Sequence, residues 1–154
     1  MEQTYLATPQ DWWNKLNKRF FFTLDAAAEK DHHMGNIPYL TEEQDALSVR
    51  WTGSVWCSPP WHKTGLTKWV KKAYDAVTLE PAQIVVMLLP VRTQDRWWHD
   101  RLLGKANEIL FIRGDLEFTP FDPTMGAFHV EPHCLGVFQK HHRGPTETYS
   151  YPCR

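Results

Sequence analysis

The sequence predicts an α/β protein with a substantially parallel sheet, and three observations carry that prediction. Between residues 55 and 113, short apolar runs of strand length alternate with segments whose apolar residues recur at helical spacing, the pattern of βαβ units. The clearest run, residues 83–90 (QIVVMLLP), is apolar throughout, as a strand buried on both faces must be. Finally, 154 residues without an internal repeat or a Gly/Ser linker suit one domain with a proper core, so residues 1–154 are read as a single unit.

The elements follow in order. Thr8-Pro9-Gln10-Asp11 reads as a helix start, with Thr8 as N-cap, Pro9 at the first helical position and an acid in the first turn. Trp12, Trp13, Leu16 and Phe20 then form an apolar stripe. Residues 20–25 (FFFTLD) read as a strand that ends in Asp25 beside three alanines, Ala26, Ala27 and Ala28. An acid at a strand's carboxyl end, next to small side chains that let a ligand approach the backbone, marks a ligand site in open α/β sheets. No GxGxxG follows, so a dinucleotide fingerprint is not supported.

Residues 29–50 are polar and irregular, which predicts an abbreviated sheet or a mobile covering loop. His32 and His33 are adjacent, lack further spaced partners and read as solvent-facing, so no metal site is expected. Residues 55–61 (VWCSPPW) form an apolar strand that stops at two prolines, because neither can donate a ladder hydrogen bond. Residues 65–79 read as a helix with Leu66, Trp69, Val70, Ala73 and Val77 inward and Lys68, Lys71 and Lys72 on the solvated face. After the strand at 83–90 come a helix over 93–103 and a strand over 107–113. A proline-rich loop over 119–132 precedes a last strand at 133–139. The tail, residues 141–154, has no apolar periodicity and is expected to be loosely held.

Composition narrows the function. Seventeen Lys+Arg against eighteen Asp+Glu leave a net charge of −1, so bulk attraction to phosphate is not the basis of any nucleic-acid binding. The cysteines, Cys57, Cys134 and Cys153, have no CxxC spacing and suggest neither a zinc site nor a disulfide framework, which points to a reducing cytoplasm. The N-terminus has no signal-peptide pattern, and the longest apolar run is far too short to span a bilayer.

Ser58-Pro59-Pro60-Trp61 admits two readings. One is a Pro-Pro turn between strand and helix with a partly buried Trp. The other is chemical: a planar heterocycle stacks on Trp61 while Ser58 and a backbone carbonyl accept the two N–H bonds of its exocyclic amino group, aiming the nitrogen at an electrophile. The stretch resembles the (Asp/Asn/Ser)-Pro-Pro-aromatic motif of amino-methyltransferases. Four further blocks extend the likeness in order: the opening Thr-Pro helix, Phe-Thr-Leu-Asp-x-x-Ala, Leu-Leu-Pro-x-Arg-Thr with Arg-Trp-Trp-His, and Ile-Arg-Gly-Asp-Leu-x-Phe. Over roughly residues 8–139 the chain resembles the phage-type, Dam-like DNA N6-adenine methyltransferases.

The resemblance implies an abbreviated Rossmann-like fold dependent on S-adenosylmethionine, with a mostly parallel central sheet flanked by helices. It implies that Thr8, Pro9, Asp25, Ala26 and Asp45 hold the cofactor, although Asp45-Ala46-Leu47 stands where the family usually has Asp-Gly-Leu. Ser58, Pro59, Pro60 and Trp61 would form the amino-group pocket. For Lys68, Arg92 and Arg96 two readings stand, contacts to DNA phosphates and ordinary surface salt bridges. Ser58 stands where the family usually has Asn; a hydroxyl can also accept the bond. Ser-Pro-Pro-aromatic is more typical of cytosine-N4 enzymes, whereas the rest of the chain favours adenine N6. The alternatives are a methyltransferase acting on an amide or free nucleotide, and an inactive methyltransferase fold serving as a nucleic-acid- or protein-binding factor.

Overall fold

Alternation along the central strands sets the layering. In a computed structural model, which describes residues 6–61, 65–120, 124 and 131–153, strand β4 (Ala82–Pro90) sends Val85, Met87 and Leu89 into one apolar core and Val86 and Leu88 into another. Two cores, one on each face of a single layer, require cover on both sides. Helix α2 (Leu66–Thr78) covers the first face with Leu66, Val70, Ala73, Ala76 and Val77. Helix α1 (Gln10–Phe20) covers the second with Trp12, Trp13 and Leu16.

The central sheet has six strands in the order β2-β3-β4-β7-β5-β8, where β2 is Leu24–Asp25, β3 Gly53–Cys57, β5 Glu108–Arg113, β7 His133–Gln139 and β8 Glu147–Pro152. The β2–β3, β3–β4 and β5–β8 pairings are parallel, and β7 runs antiparallel to both β4 and β5. The sheet is therefore mixed, where the sequence led us to expect a mostly parallel one. The helical crossover that enforces parallel pairing is present between β3 and β4. After β4 the chain leaves a gap in the sheet, which β7 later fills from the opposite direction.

Several local expectations are revised. Helix α1 runs through Phe20, where a strand was expected to begin. Phe21 closes the helix in the left-handed region at φ 52°, its N–H on the Asn17 carbonyl, and the Asn17 side chain accepts the Phe22 N–H at 2.7 Å. That turn consumes residues 20–23 and leaves only Leu24 and Asp25 for the strand. At the start of α1 the cap position belongs to Pro9, whose carbonyl accepts the Trp13 N–H at 3.0 Å, and no side chain caps the helix. Thr8 precedes the cap and is buried.

Over the expected helix 93–103, the ordered turn is a π-helix at Trp98–Leu102, closed by Leu103 N–H on the Trp98 carbonyl. Trp97, Trp98 and Leu102 all join the first core. The tail is also revised. Its β8 strand completes six register pairs along β5, from Glu108↔Glu147 to Arg113↔Pro152. Most of β8 is exposed, so ladder hydrogen bonds rather than burial hold it, and apolar periodicity could not have revealed it. Much of the loop expected over 119–132 lies outside the described residues. Its first two residues, β6 (Thr119–Pro120), pair antiparallel with β1 (Leu6–Ala7) in a separate ribbon.

Candidate active site

Parallel pairing of β2, β3 and β4 brings their carboxyl ends to one edge of the sheet. Because β7 is antiparallel, it starts at that same edge, with His133 opposite Pro90. Ligand sites in open α/β sheets lie outside such an edge. It gathers Asp25 to Ala28, Ser58 to Trp61, Val91-Arg92 and Glu131 to His133. The β1–β6 ribbon follows β5 along the chain, and Thr8 and Pro9 link β1 to helix α1.

Asp25 is 3% exposed, yet among the described residues its two carboxylate oxygens accept only backbone N–H bonds, from Met34 at 2.9 Å and Ala27 at 3.3 Å. Burial outweighs those bonds and the nearby positive charge of His33, and raises its pKa to about 6. Ala26 and Ala28 are buried beside it. The following loop is tied back to the strand: Asp25 N–H bonds the Pro38 carbonyl, Leu40 N–H bonds the Asp25 carbonyl, and Tyr39 forms a parallel bridge with Asp25. His33 stacks on Tyr39 with ring centroids 4.2 Å apart. Of the two forms expected for residues 29–50, the described chain takes the abbreviated one, holding that bridge and a 3₁₀ turn at Glu42–Gln44. Asp45 caps the turn at φ 48° with its side chain exposed, whereas Asp25 is buried.

Ser58 is half-buried just past the end of β3, and its hydroxyl bonds no other described residue. Pro59 is buried and Pro60 half-buried. Trp61, read from the sequence either as a stacking surface or as a partly buried Trp of a Pro-Pro turn, is half-buried and packs its ring against His133 (centroids 4.4 Å apart) and, edge-on, against Phe118 (5.4 Å). Its indole Nε1 and the Nε2 of His133 are both buried without a hydrogen-bond partner among the described residues. Burial lowers the His133 pKa to about 4, so its ring is neutral at physiological pH.

Arg92, expected at a phosphate, is already engaged. It donates to Glu131 from Nε (3.1 Å) and Nη2 (2.5 Å), and from Nη1 to the Trp61 carbonyl (3.1 Å). Glu131 raises the Arg92 pKa further. Lys68, in the first turn of α2, and Arg96, whose side chain is 96% exposed and 3.8 Å from Asp100, both reach solvent.

Three residues at this edge went unnoticed in the sequence: Phe118, Glu131 and His133. A polar pair, Glu131 and His133, flanking Pro132 at the head of an apolar strand was the available signal. Its meaning depends on β7 running backwards, which no local pattern encodes. Among the described residues no cluster of three or more His, Cys, Asp or Glu side chains could hold a metal ion, and no helix is long and apolar enough to cross a membrane.

Comparison with known proteins adds a family. The model of the family described as DNA N-6-adenine-methyltransferase (Dam) matches residues 2–154. No curated protein matches the chain.

Proposed function

Because the chain belongs to the DNA N-6-adenine-methyltransferase (Dam) family, we propose that it transfers a methyl group from S-adenosylmethionine to the exocyclic N6 of adenine in DNA. The observation that carries this reading is the shared sheet edge: Asp25 at the end of β2 and Ser58-Pro59-Pro60-Trp61 at the end of β3, on adjacent parallel strands. The fold reading is an abbreviated Rossmann-like methyltransferase. Supporting it are the parallel β2-β3-β4 set, the antiparallel β7 placed beside it, and the absence of named strands among the described residues between β2 and β3. All the long elements pack on one sheet, which supports reading residues 1–154 as one domain.

The residues at the edge fit S-adenosylmethionine. A buried carboxyl held by backbone donors, with its pKa raised by desolvation, gains from a ligand bearing positive charge, and the adjoining alanines leave the backbone approachable. Asp25 and Ala26 would hold the cofactor, with Thr8 and Pro9 approaching from the start of α1 and Asp45 from its turn. When bound, the cofactor supplies an electrophilic methyl group on a sulfonium.

The chain's own residues do the orienting. The target base leaves the duplex stack, because its amino group is otherwise out of reach. It lies against Trp61, whose ring is braced from behind by His133 and Phe118. Ser58 Oγ and a carbonyl of the Pro-Pro stretch accept the two amino N–H bonds, which fixes the direction of the nitrogen lone pair. Lys68 and Arg96 contact the DNA backbone as exposed cations.

The test is transfer of labelled methyl from S-adenosylmethionine to unmodified DNA, followed by nucleoside analysis. N6-methyladenine is expected. N4-methylcytosine, the product favoured by Ser58 alone, would overturn the adenine assignment. No transfer together with no cofactor binding would leave the chain as a binding factor on a methyltransferase fold.

A further inference from the structure

We infer that Arg92 and Glu131 form a clamp that positions the Ser58-Pro59-Pro60-Trp61 loop for methyl transfer, with Arg92 acting through the backbone of Trp61. The inference deepens the proposed function and rests on it for its kinetic consequences, while the clamp itself rests on geometry alone.

The loop has an anchoring problem built into its sequence. Pro59 and Pro60 have no N–H, so the stretch that must hold a base cannot tie itself to a neighbouring strand through backbone donors. The first group beyond them that receives an outside bond is the Trp61 carbonyl, which accepts from Arg92 Nη1 at 3.1 Å. The other edge of the same guanidinium is fixed by two bonds to Glu131, at 3.1 and 2.5 Å. The neighbouring backbone locks the same two loops, with Val91 N–H on the Pro132 carbonyl at 2.8 Å.

One side chain therefore joins the loops after β3, after β4 and before β7. The ring of Trp61 is held at the same place by His133 and Phe118. The planar guanidinium carries its donors on three nitrogens in fixed directions, so it reaches the Glu131 carboxylate from one edge and the Trp61 carbonyl from another; a lysine at this position would carry all its donors on one nitrogen and could not span the two in the same geometry. The pair is partly open to solvent, at 17% and 38% side-chain exposure. An ion pair at that exposure adds little to global stability. Its value lies in where it holds Trp61.

The experiment compares Arg92→Lys, Glu131→Gln and the double variant with the full-length wild type in three measurements: methyl transfer to unmodified DNA, thermal melting, and hydrogen exchange. Each single variant is expected to lower kcat roughly 100-fold, the scale of an ångström misplacement. The KM for S-adenosylmethionine should stay near the wild-type value, and Tm should fall by no more than about 4 °C. The double variant should be no slower than the worse single one, since both break one device.

Hydrogen exchange should quicken in the peptide that follows Pro60 and stay unchanged in the central strands. Full activity in Arg92→Lys would overturn the clamp. So would a rise confined to the KM for DNA, which would make Arg92 a phosphate contact instead. Unchanged exchange at the loop would overturn it whether or not the wild type methylates DNA. A wild type that transfers no methyl group, yet shows the localised exchange response, would sink the proposed function and leave the clamp standing.

Discussion

At the scale of single residues, the carboxyl of Asp25 shows how burying an acid works against stability. Its folded pKa, about 6, lies above the 3.8 of an unperturbed aspartate, so the native state favours the protonated form. That contribution is fully present below the unfolded pKa and is lost as pH rises through the folded one. The difference amounts to roughly 3 kcal/mol. At neutral pH the protein thus holds an ionised carboxylate in a poorly solvated place, a cost that a cationic ligand would relieve. Asp25→Asn removes the titration while keeping the shape. Compared with this variant by urea denaturation, the wild type should lose about 3 kcal/mol of relative stability between about pH 4 and pH 8. A pH-independent difference would mean the carboxyl is solvated. His133 runs the other way: its lowered pKa gives stability above its unfolded value that is lost as pH falls toward about 4. The two residues oppose each other across mildly acid pH, which is why the Asp25 comparison needs its own variant as reference.

At the scale of elements, the relation between β2 and β3 sets the distance from Asp25 to Ser58, and one glycine maintains it. Gly53 opens β3 at φ 71°, in the left-handed region, and a Cβ there would lie 2.4 Å from the Thr23 hydroxyl. That hydroxyl accepts the Ser54 N–H at 3.0 Å and bonds the Ser54 carbonyl at 3.2 Å, pinning the entry of β2 to that of β3. Gly53→Ala meets both backbone strain and this contact. It should cost about 2–3 kcal/mol in urea denaturation. Because β2 is only two residues long, the same change should weaken binding of S-adenosylmethionine, measurable by titration calorimetry; a stable variant with wild-type affinity would show that the short strand is positioned from elsewhere. The loop that follows is fixed partly by Gly35, where a Cβ would strike the Trp13 ring at 2.7 Å. Helix α1 and that loop therefore pack closely against each other.

Across the whole molecule, β2, β3 and β4 lie together at one side of the sheet, and the other side is closed by β8. The parallel β5–β8 ladder leaves β8, with its mostly exposed side chains, as the outer strand, while Tyr151 and Cys153 pack against the second core. Deleting residues 144–154 would bare the edge of β5, where Phe111 is already 38% exposed. Unpaired apolar edges invite pairing with other chains. The truncated chain should self-associate more than the full one, as read by light scattering over a concentration series. Equal behaviour of the two would show that β8 contributes nothing to edge protection.

The sequence by itself determined the family, the α/β class and the elements with strong apolar patterns: α1 through its Trp12-Trp13-Leu16 stripe, α2, β4 and β7. Each of these signals is local, because burial on one or two faces imposes its period on consecutive residues. It also identified Asp25 and Ser58-Pro59-Pro60-Trp61 as residues at strand ends. Tertiary structure alone decided the direction of β7, the pairing of β8, the π turn at Trp98–Leu102 and the company of Trp61. Arg92 is the clearest case. In the sequence it is an exposed-looking cation fit for a phosphate, whereas in the fold it is committed to Glu131, a residue brought beside it by an antiparallel strand from 39 positions along the chain. Contacts across that separation depend on how the sheet is ordered, and strand order is settled by how the whole chain buries its two cores.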